Sequence, residues 1–308
     1  MSDTITSPRS STAKSWGHEP PLPGGVVVAI DGSPESVAAL NTASMIAKRR
    51  GCLGHAVSVL PPFPSYRIDP RVQTSEENMD SLRLQLRDVA VRDILKGAEG
   101  AEEWSHEVIV GQPAHAIVSV TKARGADLIV IGRREHGMMD RIIGGETTLQ
   151  VMRLSAVPVL AVQSDLEWPR SIAAAVDFSP SSMRAAQVAL EMLGGSGTLY
   201  LVHVEPPVEL FPPGFMVPDD VRYPGYVATW FQRLVDSLHA PQDVIVEPVV
   251  LNGKPAPALV EFTECVDAAM IAVGSHGQTR MEGFLLGSVC TALVREARCA
   301  VLVSPPGD

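Results

Sequence analysis

Residues 270–288 read MIAVGSHGQTRMEGFLLGS, an apolar run followed by a glycine-rich loop. The run Met270–Val273 is typical of a buried strand, and Gly274, Gly277 and Gly287 punctuate the segment that follows it. Glycine lacks a Cβ, so the backbone N–H groups of such a loop can close on an anion, and a helix that begins at Ser288 would add its own unpaired amides. The stretch therefore predicts a strand, a phosphate-binding loop and a helix in succession.

Other segments of this kind occur twice in the chain, which indicates an internal duplication. The segment VVVAIDGSP at 26–34 recurs as IAAAVDFSP at 172–180, an apolar strand, an aspartate and a Ser-Pro helix start. Further on, LIVIG at 128–132 matches MIAVG at 270–274. We therefore predict two copies of one domain, residues 25–163 and 170–305, joined by a short linker.

The apolar runs are continuous and do not alternate with polar residues, and helical stretches separate them. This pattern is typical of parallel strands that are covered on both faces by crossover helices. Each copy should be a doubly wound, Rossmann-like α/β domain of about five strands. Residues 1–24 are rich in Ser, Thr and Pro, and we expect them to form a disordered tail.

Composition argues against several classes of partner. The net charge is -10, and no Lys/Arg block suggests the basic face that neutralises phosphates, so nucleic acid is not an expected partner. No apolar run is long enough to span a bilayer, and we expect a cytoplasmic protein that does not bind membranes. The four cysteines form no metal-binding spacing, which favours buried, reduced thiols.

The spacing Gly274-x2-Gly277-x9-Gly287-Ser288 resembles the nucleotide-binding signature of the universal stress protein family, Gly-x2-Gly-x9-Gly-Ser/Thr. The resemblance extends from about Gly25 to Pro305 and implies a tandem member with two family domains. In single-domain relatives the last strands of two subunits pair, so residues 157–162 and 300–304 should pair within this chain as an intramolecular pseudo-dimer. The resemblance also implies that the ligand is an adenine nucleotide, ATP, with or without Mg²⁺.

By the same resemblance, the binding residues lie in the second half. Asp177 would contact the ribose, and Val204 would hold the adenine through main-chain groups. The residues expected around the phosphates are Gly274, Gly277, Gly287, Ser288 and Val289. Two alternatives remain open from the residues alone: Asp177 could serve only to cap the following helix, and Ser288 could be only an N-cap.

The first half lacks this signature. Alignment of Gly132 with Gly274 places Glu135 at the position of Gly277 and Glu146 at that of Ser288. A carboxylate at a helix N-terminus occupies the place that attracts a phosphate, so we expect no nucleotide there, with Asp31 left mainly as a helix cap. Alternatively, Arg133 and Arg134 could supply positive charge for a different anion.

These features predict a nucleotide-binding protein that acts in stress response or signalling through protein partners the sequence does not identify. We predict no catalytic residues and no metal ligands. A slow nucleotide hydrolase or an adenylyl-transferring enzyme of the same fold is the second hypothesis, and an interaction scaffold without a nucleotide is the third. The tandem chain could also form a homodimer.

Overall fold

The computed structural model describes residues 24–62, 73–133, 144–205, 224–277 and 286–306 of the 308-residue chain. Strands and helices alternate through both halves. The first half contains β1 (Val26–Ala29), α1 (Pro34–Arg50), β2 (Gly54–Leu60), α2 (Gln73–Gly97), β3 (Ser105–Val110), α3 (Pro113–Arg124), β4 (Leu128–Gly132), α4 (Gly144–Leu154) and β5 (Val159–Val162). The second contains β6 (Ser171–Ala175), α5 (Pro180–Leu193), β7 (Gly197–Glu205), α6 (Pro224–Leu238), β8 (Val244–Asn252), α7 (Pro255–Cys265), β9 (Met270–Gly274), α8 (Ser288–Glu296) and β10 (Ala300–Ser304).

All ten strands form a single sheet in the order β3-β2-β1-β4-β5-β10-β9-β6-β7-β8. Within each half the strands are parallel, and the chain order reverses between β1 and β4 and again between β6 and β9. Side chains of one strand alternate between two apolar layers: Val26 and Val28 pack in one layer and Val27 in the other. The predicted pair of doubly wound α/β domains is confirmed.

The two halves join through the final strand of each. Strands β5 and β10 pair antiparallel, with Leu302 opposite Leu160 and both side chains fully buried. This is the pairing expected for the intramolecular pseudo-dimer. It removes two sheet edges that would otherwise present unpaired N–H and C=O groups.

The repeated Asp-x-Ser-Pro segments start helices in the same way in both halves. Ser33 caps α1 and Ser179 caps α5, and each is followed by proline at the first helical position. The N-cap is therefore the serine, and the earlier aspartate orients it, which corrects the expectation that Asp31 is itself the cap. The helices end at Gly51 and Gly194, both with positive φ, as the sequence predicts.

The linker between the halves is packed against the domains. Trp168 Nε1 donates to the carbonyl of Leu193 at 3.0 Å, and the guanidinium of Arg49 lies 4.0 Å from the centre of the Trp168 ring. Asn41 donates to Asp165 at 2.9 Å. These contacts connect helices of both halves through the linker, in addition to the strand pairing. The predicted tail lies outside the described residues, apart from Gly24.

None of the helices in the described ranges combines the length and the apolar character that crossing a membrane requires.

Candidate nucleotide site

The candidate site lies at the carboxyl ends of β6 and β9. These strands are neighbours in the sheet, with Ala175 opposite Val273, and the strand order reverses between them. Open α/β sheets bind ligands in the crevice at such a reversal. Asp177 follows β6 by two residues and Gly277 follows β9 by three, so both lie at this end of the sheet.

Asp177 is held in place by the turn that begins α5. Its Oδ1 accepts hydrogen bonds from Ser179 N at 3.0 Å and from Ser179 Oγ at 2.6 Å. Its Oδ2 lies 2.9 Å from the position that a Cβ on Gly277 would take. The carboxylate and the second glycine of the loop are therefore direct neighbours, and any side chain at 277 would displace one of them.

Gly274 has a packing role of its own. A Cβ at this position would come within 2.6 Å of Ser181 Oγ and 2.8 Å of Ser182 N. Gly132, its counterpart in the first half, meets the backbone of Glu35 and Ser36 equally closely. The first glycine of the signature thus allows β9 to approach α5, and its counterpart allows β4 to approach α1, whatever the crevice binds.

Hydrogen bonds fix the described ends of the loop between β9 and α8. Ser181 Oγ donates to the carbonyl of His276 at 2.5 Å, and Ser275 Oγ lies 2.8 Å from His276 Nδ1. Gly287 N donates to the carbonyl of Ser275 at 2.8 Å, which brings the two ends together. The loop therefore starts against the turn of α5 that orients Asp177, and its far end is bonded back to that start.

Helix α8 begins with amides that have no partner within the helix. Its N-cap is Gly287, without a side-chain capping bond, and the first helical hydrogen bond runs from Thr291 N to the carbonyl of Gly287. The earlier N–H groups, those of Ser288, Val289 and Cys290, precede the helical ladder. Ser288 is exposed and is not the N-cap, so that alternative interpretation of the serine is wrong.

Val204 lies near the end of β7, where this strand extends past its neighbour β6. The carbonyl of Val202 accepts from Val176 on the β6 side, whereas the carbonyl of Glu205 accepts from Gly253 on the β8 side. Backbone groups alternate between the two sides along a strand. The N–H and C=O of Val204 therefore point past the end of β6, into the crevice.

An aromatic cluster next to Asp177 was not predicted from the sequence. Phe178 has a φ of 62°, and its ring lies 5.1 Å from that of His203, 5.1 Å from Trp230 and 5.3 Å from Phe231. Non-glycine residues rarely take this conformation, and outliers of this kind concentrate at functional sites. The signal was present in the repeat, because Phe178 aligns with Gly32, which has a φ of 84°.

The first half keeps the aspartate turn but not the rest of the arrangement. Asp31 Oδ1 accepts from Ser33 N at 2.9 Å and from Ser33 Oγ at 2.5 Å, as its counterpart does. Glu146 lies exposed in the first turn of α4, where its Oε1 accepts from Gln150 at 3.2 Å. Glu135 and Arg134 lie outside the described residues.

Arg133 does not supply charge to the first-half loop, contrary to one alternative above. Its side chain is only 2% exposed, and its guanidinium donates to the carbonyl of Val294 in the second half at 2.8 Å. Thr148 is also buried, with its hydroxyl directed at the carbonyl of Gly132 at 3.4 Å. Within the part of this crevice that the structure describes, Arg133 is therefore directed away from a ligand.

The cysteines differ in exposure. Cys290 is buried, Cys52 and Cys299 are half-buried, and Cys265 is exposed, so the prediction of burial is wrong for Cys265. Burial raises the pKa of the Cys290 thiol and is the largest influence raising the pKa of Cys299. The described residues include no cluster of three His, Cys, Asp or Glu side chains that could hold a metal ion.

Comparison with known proteins identifies the class to which this fold and crevice belong. The family model for the universal stress protein family matches residues 25–163 and again residues 169–305. The chain therefore belongs to the universal stress protein family, as a tandem member.

Individual relatives match along nearly the whole chain. Universal stress protein Rv2005c of Mycobacterium tuberculosis is 27% identical over 299 residues, which cover 91% of this chain and 96% of the relative. A universal stress protein of Mycolicibacterium smegmatis is 28% identical over 294 residues, covering 92% and 97%. The crystal structure of a universal stress protein from Archaeoglobus fulgidus, 20% identical, superimposes with a TM-score of 0.66 over 92% of this chain and 97% of that one. This last similarity concerns the fold.

Proposed function

We propose that the second half of this universal stress protein binds one adenine nucleotide, ATP, with or without Mg²⁺. One observation carries the proposal. The Asp177 carboxylate, the bare backbone at Gly277 and the crevice-facing main chain of Val204 occur together at one strand-order reversal. Helix α8 contributes the amides of its first turn. These groups provide one partner for each part of a nucleotide.

The charge of each group in the crevice indicates which part of the nucleotide it would contact. Two like charges about 4 Å apart repel by about 4 kcal/mol at an effective dielectric constant of 20, so the carboxylate of Asp177 is a poor neighbour for phosphate. Ribose hydroxyls, which donate hydrogen bonds, suit it. The phosphates are matched instead by Gly287 and the N–H groups of Ser288 and Val289, where the helix dipole favours an anion. Gly277, which has no side chain, leaves room for the nucleotide beside Asp177. Gly274 brings this loop close to α5.

The proposed role is that of a cytoplasmic nucleotide-binding protein in stress response or signalling, which acts through partner proteins. Membership of the universal stress protein family supports it, together with a crevice whose groups suit holding a nucleotide. The Asp177 carboxylate is held at this edge of the sheet, because its Oδ1 accepts two hydrogen bonds from Ser179.

Titration calorimetry with ATP tests the proposal, supported by thermal unfolding in the presence of the ligand. A ligand that binds only the native state stabilises it by about 2.7 kcal/mol at a hundredfold excess over its Kd. Gly277→Glu should abolish both signals, because its side chain would meet Asp177 Oδ2 and bring a second negative charge.

Gly97→Glu is the matched control for this experiment. It makes the same substitution at the end of α2, where a Cβ meets nothing within 4 Å, and it should bind ATP like the parent protein. Equal ATP binding by the parent and the Gly277→Glu variant would rule out the proposed site. Sustained ATP turnover that Asp177→Asn abolishes would favour the hydrolase hypothesis instead.

A further inference from the structure

A single arginine of the first half enters the second half at the end of the candidate nucleotide helix. Arg133 directly follows β4, and one terminal nitrogen of its guanidinium donates to the carbonyl of Val294 at 2.8 Å. The other donates to the carbonyls of Ala297 at 2.8 Å and Cys299 at 3.0 Å. In the amide orientation that satisfies its neighbours, the side-chain oxygen of Gln163 accepts hydrogen bonds from both terminal nitrogens of Arg133, at 3.0 and 3.1 Å.

These carbonyls belong to the C-terminal end of α8 and the turn that follows it. Val294 lies in the last turn of the helix, Ala297 is its C-cap residue, and Cys299 directly precedes β10. The final carbonyls of a helix have no partner within it, and a cation there is favoured by the helix dipole. Hydrogen bonds from a charged donor are stronger than neutral ones. Arg133 therefore caps α8 from the other half of the molecule.

The two halves are not equivalent in this respect. Arg133 N donates to the carbonyl of Val162, and Ser275 N donates to the carbonyl of Ser304. These equivalent hydrogen bonds make Ser275 the counterpart of Arg133. The Ser275 hydroxyl stays local, 2.8 Å from His276 Nδ1. At the end of α4, Ser155 closes the turn itself, donating to the carbonyl of Val157 at 2.6 Å.

Helix α8 lacks that local cap because Ala297 stands at the position equivalent to Ser155. In its place the first half supplies Arg133. Helix α8 has nine residues and is about 13 Å long at 1.5 Å per residue, so it is a short, rigid element. An anchor at its C-terminus also sets the direction and position of its N-terminal amides.

We propose that Arg133 is a positioning residue for the nucleotide site of the opposite half. Among the described residues, its guanidinium bonds to the C-terminal end of α8 and to Gln163, and it thereby holds the helix whose first amides are proposed to receive the phosphates. The inference rests on the proposed function, and it makes ATP binding by the second half dependent on a residue of the first. The first half, which lacks the glycine signature, thus contributes Arg133 to nucleotide binding by the second half.

The test is the ATP affinity of full-length Arg133→Met, measured by titration calorimetry. Methionine keeps much of the side-chain length and removes the donors, and we expect the Kd to rise about tenfold or more. Arg49→Met is the matched control, because Arg49 also bridges the halves but packs on Trp168, away from α8. It should bind ATP like the parent even where its thermal stability falls.

A rescue variant separates positioning from general loss of stability. Ala297→Ser, added to Arg133→Met, offers α8 the local hydroxyl cap that Ser155 gives α4, and it should restore part of the ATP affinity. Should Arg133→Met not fold, Arg133→Lys takes its place, since one ammonium cannot donate to three carbonyls in the same planar arrangement.

Hydrogen exchange of the ligand-free protein distinguishes this inference from the proposed function. Arg133→Met should speed exchange at the amides of Thr291 to Glu296 and leave those of α4 unchanged. Unchanged exchange in α8, or parental ATP affinity in Arg133→Met, would overturn the inference. Absence of ATP binding by the parent protein would instead overturn the proposed function, and the role in nucleotide binding with it.

Discussion

The space beside Gly274 and Gly132 is too small for a methyl group. A Cβ at Gly274 would lie within 3 Å of backbone atoms in the first turn of α5, and one at Gly132 within 3 Å of those in the first turn of α1. Backbone cannot rotate away as a side-chain end can. Overpacking of this kind typically costs about 1–3 kcal/mol. We expect Gly274→Ala and Gly132→Ala each to lower the free energy of unfolding by this amount, measured in urea.

Gly97→Ala is the control for both variants, since a Cβ there meets nothing within 4 Å. It should leave stability close to that of the parent. Parental stability in Gly274→Ala and Gly132→Ala would show that the strand and helix can separate without cost, contrary to the packing role argued above.

Burial of Cys290 predicts a pH dependence of stability. Because burial raises the pKa of this thiol in the folded protein, only the unfolded chain releases its proton once the pH exceeds the ordinary thiol value of about 8.5. The folded state then binds more protons, so its stability is complete below that pH and falls above it, by up to about 1.4 kcal/mol per pH unit for one group.

Urea unfolding of the parent and of Cys290→Ala, compared at several values above about pH 8.5, measures this contribution. Cys52 and Cys299 also have raised pKa values, so the difference in slope between the two proteins is the relevant quantity. The parent should lose stability more steeply. Identical slopes for the parent and Cys290→Ala would contradict the argument.

At the scale of the elements, β8 shows how an exposed sheet edge is protected. At the two ends of this edge strand, the carbonyl of Asp243 accepts a hydrogen bond from Gly197 N, and Gly253 N donates one to the carbonyl of Glu205. The backbone N–H and C=O groups of its odd-numbered residues therefore point toward β7. The backbone of Pro248 therefore faces away from β7, and its missing N–H interrupts the row of exposed backbone donors at this edge.

Pro248→Val should restore that row of donors and promote edge-to-edge pairing. We expect the variant to self-associate with rising concentration in light scattering at concentrations where the parent does not. Pro255→Val, at the first position of α7, changes the same residue type away from the edge and should behave like the parent. If light scattering by Pro248→Val does not change with concentration, this proline does not protect the sheet edge.

The strands and the duplicated doubly wound arrangement could be predicted because the repeat supplies each local signal twice. An apolar run, Asp31 or Asp177, and a capping serine are local features, and they fix the strand-to-helix turn wherever they occur. Arg133 could not be assigned in this way. Its partner Val294 lies 161 residues further along the chain, and nothing local distinguishes an arginine that enters the opposite half from one that faces its own loop.

The site residues differ in the same way: local sequence signals predict some of them, and long-range packing determines the others. The glycine spacing is local, and it identified the loop, although the separate packing role of Gly274 became evident only from its contact with α5. The cluster around Phe178 joins β7, the turn before α5 and α6, and its assembly depends on tertiary packing.

At the scale of the whole molecule, the central pair of β5 and β10 predicts that neither half is self-sufficient. Cutting the chain after residue 165 would expose β5 in one fragment and β10 in the other, each an apolar edge strand. We expect fragments 1–165 and 166–308, expressed separately, to self-associate or to lose solubility, as measured by light scattering. Two stable monomers would contradict the role of this strand pair.

The asymmetry of the halves predicts one nucleotide per chain. The second half presents Gly277 and Ser288 to the crevice, whereas the first carries Glu135 and Glu146 at the aligned positions. A carboxylate about 4 Å from a phosphate costs about 4 kcal/mol at an effective dielectric constant of 20, more than the roughly 1 kcal/mol that a backbone hydrogen bond returns. The first site should therefore reject ATP, and calorimetry should give a stoichiometry of one.

Reversal of that charge pattern tests the reason for the asymmetry. Asp31 in the first half keeps the same hydrogen bonds to Ser33 that Asp177 makes to Ser179, so the aspartate turn of that crevice is preserved. Glu135→Gly with Glu146→Ser should then restore weak binding of a second ATP. Glu102→Gly with Glu103→Ser removes the same charges between α2 and β3, away from the crevice, and should leave the stoichiometry at one. Two equivalent ATP sites in the parent protein would show that the repulsion, or the alignment of the first loop on which it rests, is wrong.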